Sequence, residues 1–73
     1  MRAVVIKVVD KGNNPAARFL TPDKTYPAIR TEAGEHDTLG RENLFTYYEL
    51  RDDHGVPCGI YKNCLGVTIH EVY

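Results

Sequence analysis

Residues 44–62, LFTYYELRDDHGVPCGIYK, carry the clearest alternation of side-chain character in the chain. Leu44, Thr46, Tyr48 and Leu50 fall on one face of an extended segment, and Phe45, Tyr47, Glu49 and Arg51 on the other. A period of two rich in aromatic and β-branched residues predicts a half-buried strand. Asp52-Asp53-His54-Gly55 then predicts a turn, because Asp bonds its own downstream backbone and Gly55 can take the positive φ that closes a bulged type I turn. The return arm sets Val56, Cys58 and Ile60 against Pro57, Gly59 and Tyr61. The pattern predicts a hairpin.

Four further segments complete the expected layout. Arg2–Asp10 alternates Val4, Ile6 and Val8 against Ala3, Val5, Lys7 and Val9, and its β-branched density predicts a strand rather than a helix. Both faces are largely apolar, which suits a central strand. Residues 11–18, KGNNPAAR, read as a loop, and Phe19-Leu20 returns to the core. Thr21-Pro22-Asp23-Lys24 predicts a type I turn with Pro22 at its second position.

Thr25–Thr31 reads as a strand that is an edge or is unpaired at its start, since Pro27 cannot donate to a ladder. Residues 32–43, EAGEHDTLGREN, read as a mobile loop. Residues 62–66 predict one 3₁₀ turn, and 67–72 a last strand. Five short strands without a long helix predict an all-β fold, a small five-stranded barrel or roll. Its expected core is Val4, Ile6, Val8, Leu20, Tyr26, Tyr48, Leu50, Ile60, Leu65 and Val67.

Length changes how the apolar residues are weighed. Seventy-three residues make a single domain, and a chain this short buries only about 60 % of its unfolded surface, so nearly every large apolar residue is needed inside. Nine Lys and Arg against ten Asp and Glu give a net charge of −1. That removes the broad basic field typical of nucleic-acid binders. The run Ala3-Val4-Val5-Ile6 is too short for a signal-peptide core or a membrane span. Two cysteines without an export signal suit reduced thiols in a cytoplasm.

A second set of motifs carries a resemblance. Leu20-Thr21-Pro22-Asp23-Lys24-Thr25-Tyr26-Pro27-Ala28-Ile29 resembles the Leu-Thr-x-Gly-Lys-x-Tyr-x-Val-Ile opening of small SH3-like barrels common in bacteriophage genomes. Tyr47 to Gly55 is similar to their tyrosine-bearing strand ending in Asp-Asp-x-Gly. Residues 59–65, GIYKNCL, are similar to their strand followed by a one-turn helix. Asp23 stands where that pattern usually has Gly, and the 32–43 segment is longer than usual.

The resemblance implies an SH3-like fold and a phage origin, with an accessory role in the cytoplasm of an infected bacterium. That role is binding and modulating a host or phage protein, inhibition being one form of it.

Candidate chemistry is sparse. His54, Cys58, Cys64 and His70 lack the close Cys-x2–4-Cys knuckle usual in structural zinc sites, so no metal site is expected. Neither cysteine lies in sequence beside a histidine held by a third group. Glu32 and Glu35 fall in a loop, where acid–base geometry is not fixed. No phosphate-cradling glycine motif is present, no cofactor is implied, and the chain reads as non-enzymatic.

Phe45, Tyr47 and Tyr61 share the face opposite Tyr48 and Leu50, with Arg41, Arg51 and Lys62 able to flank them. Either this strip faces outward for peptide recognition or base stacking, or the 32–43 loop or N-terminal strand covers it to complete the core. The expected contact residues are Phe45, Tyr47, Tyr61, Glu32, Glu35, Arg41 and Arg51. Three uses follow: a protein partner, a nucleic acid held on the aromatic ribbon, or structural self-association through strand edges. No membrane partner is expected, and the chain is expected as a monomer or an edge-paired dimer. Cys58 is expected buried and Cys64 partly exposed.

Overall fold

A computed structural model describes residues 1–36 and 39–72. Five antiparallel strands form one curled sheet, a half-barrel: β1 (Arg2–Asp10), β2 (Thr25–Thr31), β3 (Tyr47–Arg51), β4 (Pro57–Tyr61) and β5 (Thr68–Glu71), in spatial order β4-β3-β2-β1-β5. The long first strand produces the curl by serving two neighbours. Its residues 2–7 pair with β2 and its residues 6–10 with β5, and a register shift between Val8 and Asp10 bends the second half away. Single 3₁₀ turns at Pro15–Ala17 and Cys64–Gly66 fill the connections before β2 and before β5. Among the described residues no helix is long and apolar enough to cross a membrane.

The register places the core directly. Val4 faces Ala28, Ile6 faces Tyr26, Ala28 faces Leu50, Tyr48 faces Ile60 and Val8 faces Ile69. These residues therefore share the concave face. Ala17, Leu20 and Val67 close over it from the connections, and all are buried. Fully buried Ile6, Val8, Leu20 and Ile60 each contribute about 1.5–3 kcal/mol relative to exposure.

The hairpin is formed as its sequence suggests. Asp52 O accepts from Gly55 N at 2.9 Å, Gly55 has φ 76°, and Asp52 Oδ1 accepts from the His54 and Val56 amides at 2.8 and 3.0 Å. Arg51 tightens the turn by donating to Gly55 O at 2.8 Å.

Several expectations are corrected. Leu65 is not core but 59 % exposed, because its backbone is left-handed (φ 51°). Val56 and Leu44 are also exposed, since β4 begins at Pro57 and β3 only at Tyr47. The turn at Thr21–Lys24 holds Asp23 at φ 66°, which is the third-position requirement of a type II turn rather than type I. Asp23 thus adopts a left-handed conformation that Gly takes more readily.

The strand with Pro27 is central rather than an edge, and the other alternative, an unpaired start, holds on its β3 side. Val5 O accepts from Val72 N on the β5 side, so Val5 and Pro27 form a non-hydrogen-bonded pair. Pro27 N therefore faces β3, whose ladder starts only at Ala28. No ladder bond is forfeited. Residues 32–43, expected as a mobile loop, contain a small paired arm: Gly34 N donates to Asn43 O at 2.7 Å, Asn43 N to Glu35 O at 3.0 Å, and His36 bridges Glu42.

Two carboxylates fasten the sheet at positions far apart in sequence. Asp53 accepts from Thr21 Oγ1 at 2.7 Å, Lys24 Nζ at 2.9 Å and Tyr26 OH at 2.7 Å. The Lys24 ammonium, with Thr21 and Tyr26, holds the Asp53 carboxyl well below the usual carboxylate range. Glu71 accepts from Tyr48 OH at 2.9 Å and Arg2 at 3.2 Å, and pairs with Arg30. Burial alone would raise the Glu71 carboxyl, but the Tyr48 hydrogen bond and the two guanidinium groups outweigh it and lower it.

A carboxyl depressed on folding contributes stability that is complete above its unfolded value, about 3.9 for Asp and 4.3 for Glu, and is lost as pH falls through the folded value. Tyr48 acts on the alkaline side. Burial and its bond to Glu71 push its hydroxyl up to about 12, so its contribution is lost as pH rises from about 10 towards that value. In a thermal-melt series, Tm is expected to hold between about pH 5 and 8, fall below about pH 4.5 and fall again above about pH 10. Asp53→Asn is expected to lower Tm at neutral pH and flatten the acid limb. A wild-type Tm unchanged down to about pH 2.5 would contradict this assignment.

Candidate functional site

Because even-numbered positions of β1, β2, β3 and β4 turn inward, the odd ones form the outer face. There Ala3, Pro27, Ile29, Tyr47, Pro57 and Gly59 floor an open trough, with Leu39, Arg41, Glu49 and Arg51 along its walls. Small residues make it shallow. Gly59 stands opposite Glu49 in the ladder, and its missing side chain leaves room for the Tyr47 ring: a Cβ there would lie 1.6 Å from Tyr47 Oη. Tyr47 therefore lies across β4 instead of standing upright. Burial pushes its hydroxyl up, against the opposing pull of the hydrogen-bonded Arg41 guanidinium.

The aromatic strip is real but divided. Tyr47 and Tyr61 face one another across the β3–β4 ladder with ring centroids 4.8 Å apart. Tyr61 meets Phe45 edge-on at 6.2 Å and 84°. Tyr47 belongs to the trough. Phe45 and Tyr61 instead line a second groove with Glu42, Leu44, Lys62, Asn63 and Cys64. Neither of the two coverings considered from sequence is complete. The arm 34–43 reaches Tyr61 through Asn43, whose Oδ1 accepts from Tyr61 OH at 3.1 Å, yet Phe45 remains 65 % exposed.

The expected acidic contact residues are engaged within the chain. Glu32 pairs with Arg30 at 2.7 Å, and Glu35 accepts from Glu32 N at 2.7 Å and from the Met1 nitrogen at 2.8 Å. Those bonds, the amine first, lower the Glu35 carboxyl. Arg41 and Arg51 both reach the trough.

Sequence reasoning missed Asn43, a buried polar residue that ties the arm to Tyr61. It also missed Leu39 and Ile29 in the trough. The inverted exposure of Leu44 had no local signal beyond its place at the end of the alternating run.

The four sulfur and imidazole side chains weighed for metal do not converge. His54 stacks on Phe19 at 4.5 Å in the hairpin turn, Cys58 packs against the core from β4, Cys64 lies in the second 3₁₀ turn, and His70 is exposed on β5. Among the described residues no three His, Cys, Asp or Glu side chains are grouped to hold a metal ion. Both cysteines are free and half-buried, and burial, with a contribution from Asp52, pushes the Cys58 thiol up.

Fold and site thus define a small all-β domain with an open, partly apolar outer face. No family model, curated protein or solved structure matches this chain.

The dependence of the trough on Gly59 is directly testable. Gly59→Ala is expected to drive the Tyr47 ring off the strand, costing about 1–3 kcal/mol as an overpacked site. Tyr47→Ala in the same chain removes the clash, so the second substitution should recover part of that loss. A double-mutant cycle by denaturant unfolding, with the Tyr47 ring shifts followed by NMR, checks it. Strict additivity with an unmoved ring would show that Tyr47 does not lie over Gly59.

Proposed function

We propose that the chain is a non-enzymatic binding module that holds an extended segment of another protein in the outer-face trough. The observation that carries this reading is the trough itself. Apolar Pro27, Ile29 and Pro57 lie beside an aromatic ring laid flat by Gly59, with two arginines along the walls. Such a floor accepts apolar side chains of an extended partner, and a guanidinium pairs well with a carboxylate or a peptide carbonyl. Tyr and Arg are the residue types most enriched where binding energy concentrates.

The strand order β4-β3-β2-β1-β5, with a 3₁₀ turn between β4 and β5, supports an SH3-like barrel. Together with the Leu20–Ile29 and Tyr47–Gly55 motifs, this favours a phage accessory protein. In that setting the chain acts in the cytoplasm of the infected host and modulates a host or phage protein, inhibition being one form of it.

Nucleic acid is the weaker reading. The Phe45–Tyr61 pair is edge-to-face rather than two parallel stacking platforms, and a net charge of −1 offers little phosphate neutralisation.

Affinity capture from phage-infected lysate, comparing wild type with Ile29→Asp and Arg51→Glu, tests the proposal. One partner is expected reproducibly with wild type and at least about tenfold less with either variant, thermal melts confirming that both fold. No reproducible partner, or one retained equally by both variants, rejects it. Binding to single-stranded DNA or RNA that weakens steeply with salt would instead promote the nucleic-acid reading.

A further inference from the structure

The second groove has features that the trough does not use. Its apolar wall is Leu44, Phe45 and the Tyr61 ring, of which Leu44 is 77 % exposed. Directly after the lining residue Cys64 comes Leu65, an apolar knob held outward. The backbone there is left-handed at Asn63 (φ 62°), Leu65 (φ 51°) and Gly66 (φ 84°). A leucine disfavours that conformation, and it persists because neighbours over-determine it. Asn13 N donates to Leu65 O at 2.9 Å and Asn14 Nδ2 to Cys64 O at 3.3 Å. Gly12 packs so closely that a Cβ would meet the Gly66 carbonyl carbon at 2.5 Å. Strain fixed in this way around an exposed apolar side chain points to a surface kept for contact.

Charge complementarity favours a second copy as the occupant. Glu42 and Lys62 both line the groove, and among the described residues neither side chain makes an ion pair. A partner of a single charge sign would satisfy only one of them. A second copy supplies both signs at once, because a two-fold axis that sets Glu42 against the partner's Lys62 sets Lys62 against the partner's Glu42. Leu65 follows the lining residue Cys64 and is exposed, so a two-fold axis beside Cys64 can seat each Leu65 in the other copy's groove.

We infer that this face is a self-complementary dimer surface, with Leu65 seated between the partner's Leu44 and the partner's Phe45 and the Glu42–Lys62 pairs at its rim. It is separate from the trough, so a dimer leaves the trough open to a different protein.

Sedimentation equilibrium from about 1 μM to about 1 mM tests it. The mass is expected to rise from 8.3 kDa towards twice that value. Leu65→Asn removes the knob while placing a residue suited to left-handed backbone, so it should fold at least as well and associate at least about tenfold more weakly. Glu42→Lys and Lys62→Glu should each weaken self-association, and mixing these two variants should restore a dimer between them. A mass of 8.3 kDa at every concentration overturns the inference. So does a dimer that Leu65→Asn or the charge changes leave unaltered. A monomer that loses a captured foreign protein on Leu65→Asn would assign the face to that protein instead, and also overturns it.

Discussion

One carboxylate holds the two halves of this sheet in place. Asp53 sits in the β3–β4 turn and accepts hydrogen bonds from Thr21, Lys24 and Tyr26, while its own amide donates to Phe19 O at 3.1 Å. Tyr26 OH in turn accepts from Thr21 N at 2.8 Å. The turn that closes one hairpin is thereby fastened to the turn that opens β2. A five-stranded half-barrel built from non-local pairings pays loop-closure entropy before its contacts reward it. A core of small volume has little surplus to spare, so a hydrogen-bonded polar clasp at each end matters more than it would in a larger domain. Glu71, bonded to Tyr48 and flanked by Arg2 and Arg30, serves at the opposite end of the concave face.

Those clasps and the inward residues use up the concave side, and the open trough lies on the outer side. The same strict alternation that buries Tyr48 and Leu50 turns Tyr47, Glu49 and Arg51 outward, and Gly59 then lets Tyr47 lie flat. The trough is a consequence of the core: a sheet this small has one face to bury and one to offer.

Much of this architecture is legible in the chain itself. The hairpin, formed over residues 47–61 within the expected 44–62, the strand at Arg2–Asp10 and the inward set Val4, Ile6, Val8, Tyr26, Tyr48, Leu50 and Ile60 follow from period-two patterning, which local sequence carries. What is not legible depends on partners distant in sequence. Pro27 looks like an edge marker until Val5 is seen to spend its carbonyl on Val72. Leu65 looks like core until Gly12 and Asn13 are seen to hold its backbone left-handed. Asp53 looks like an ordinary turn former, because the three donors that make it a clasp lie on and just before β2. Of the expected contact residues, Tyr47, Arg41 and Arg51 line the trough and Phe45 and Tyr61 the second groove, while Glu32 and Glu35 are bonded within the chain. The division into two surfaces depends on Gly59 and Asn43, and alternation says nothing of either.

The clasp at Asp53 is the claim on which the rest stands, and its titration tests it most directly. Carboxyl carbon shifts followed by NMR across acid pH should show Asp53 ionised well below the ordinary Asp value of about 3.9. Its proton uptake should coincide with loss of the Lys24, Thr21 and Tyr26 contacts. An Asp53 that titrates at the ordinary value, with those neighbours undisturbed, would contradict the account.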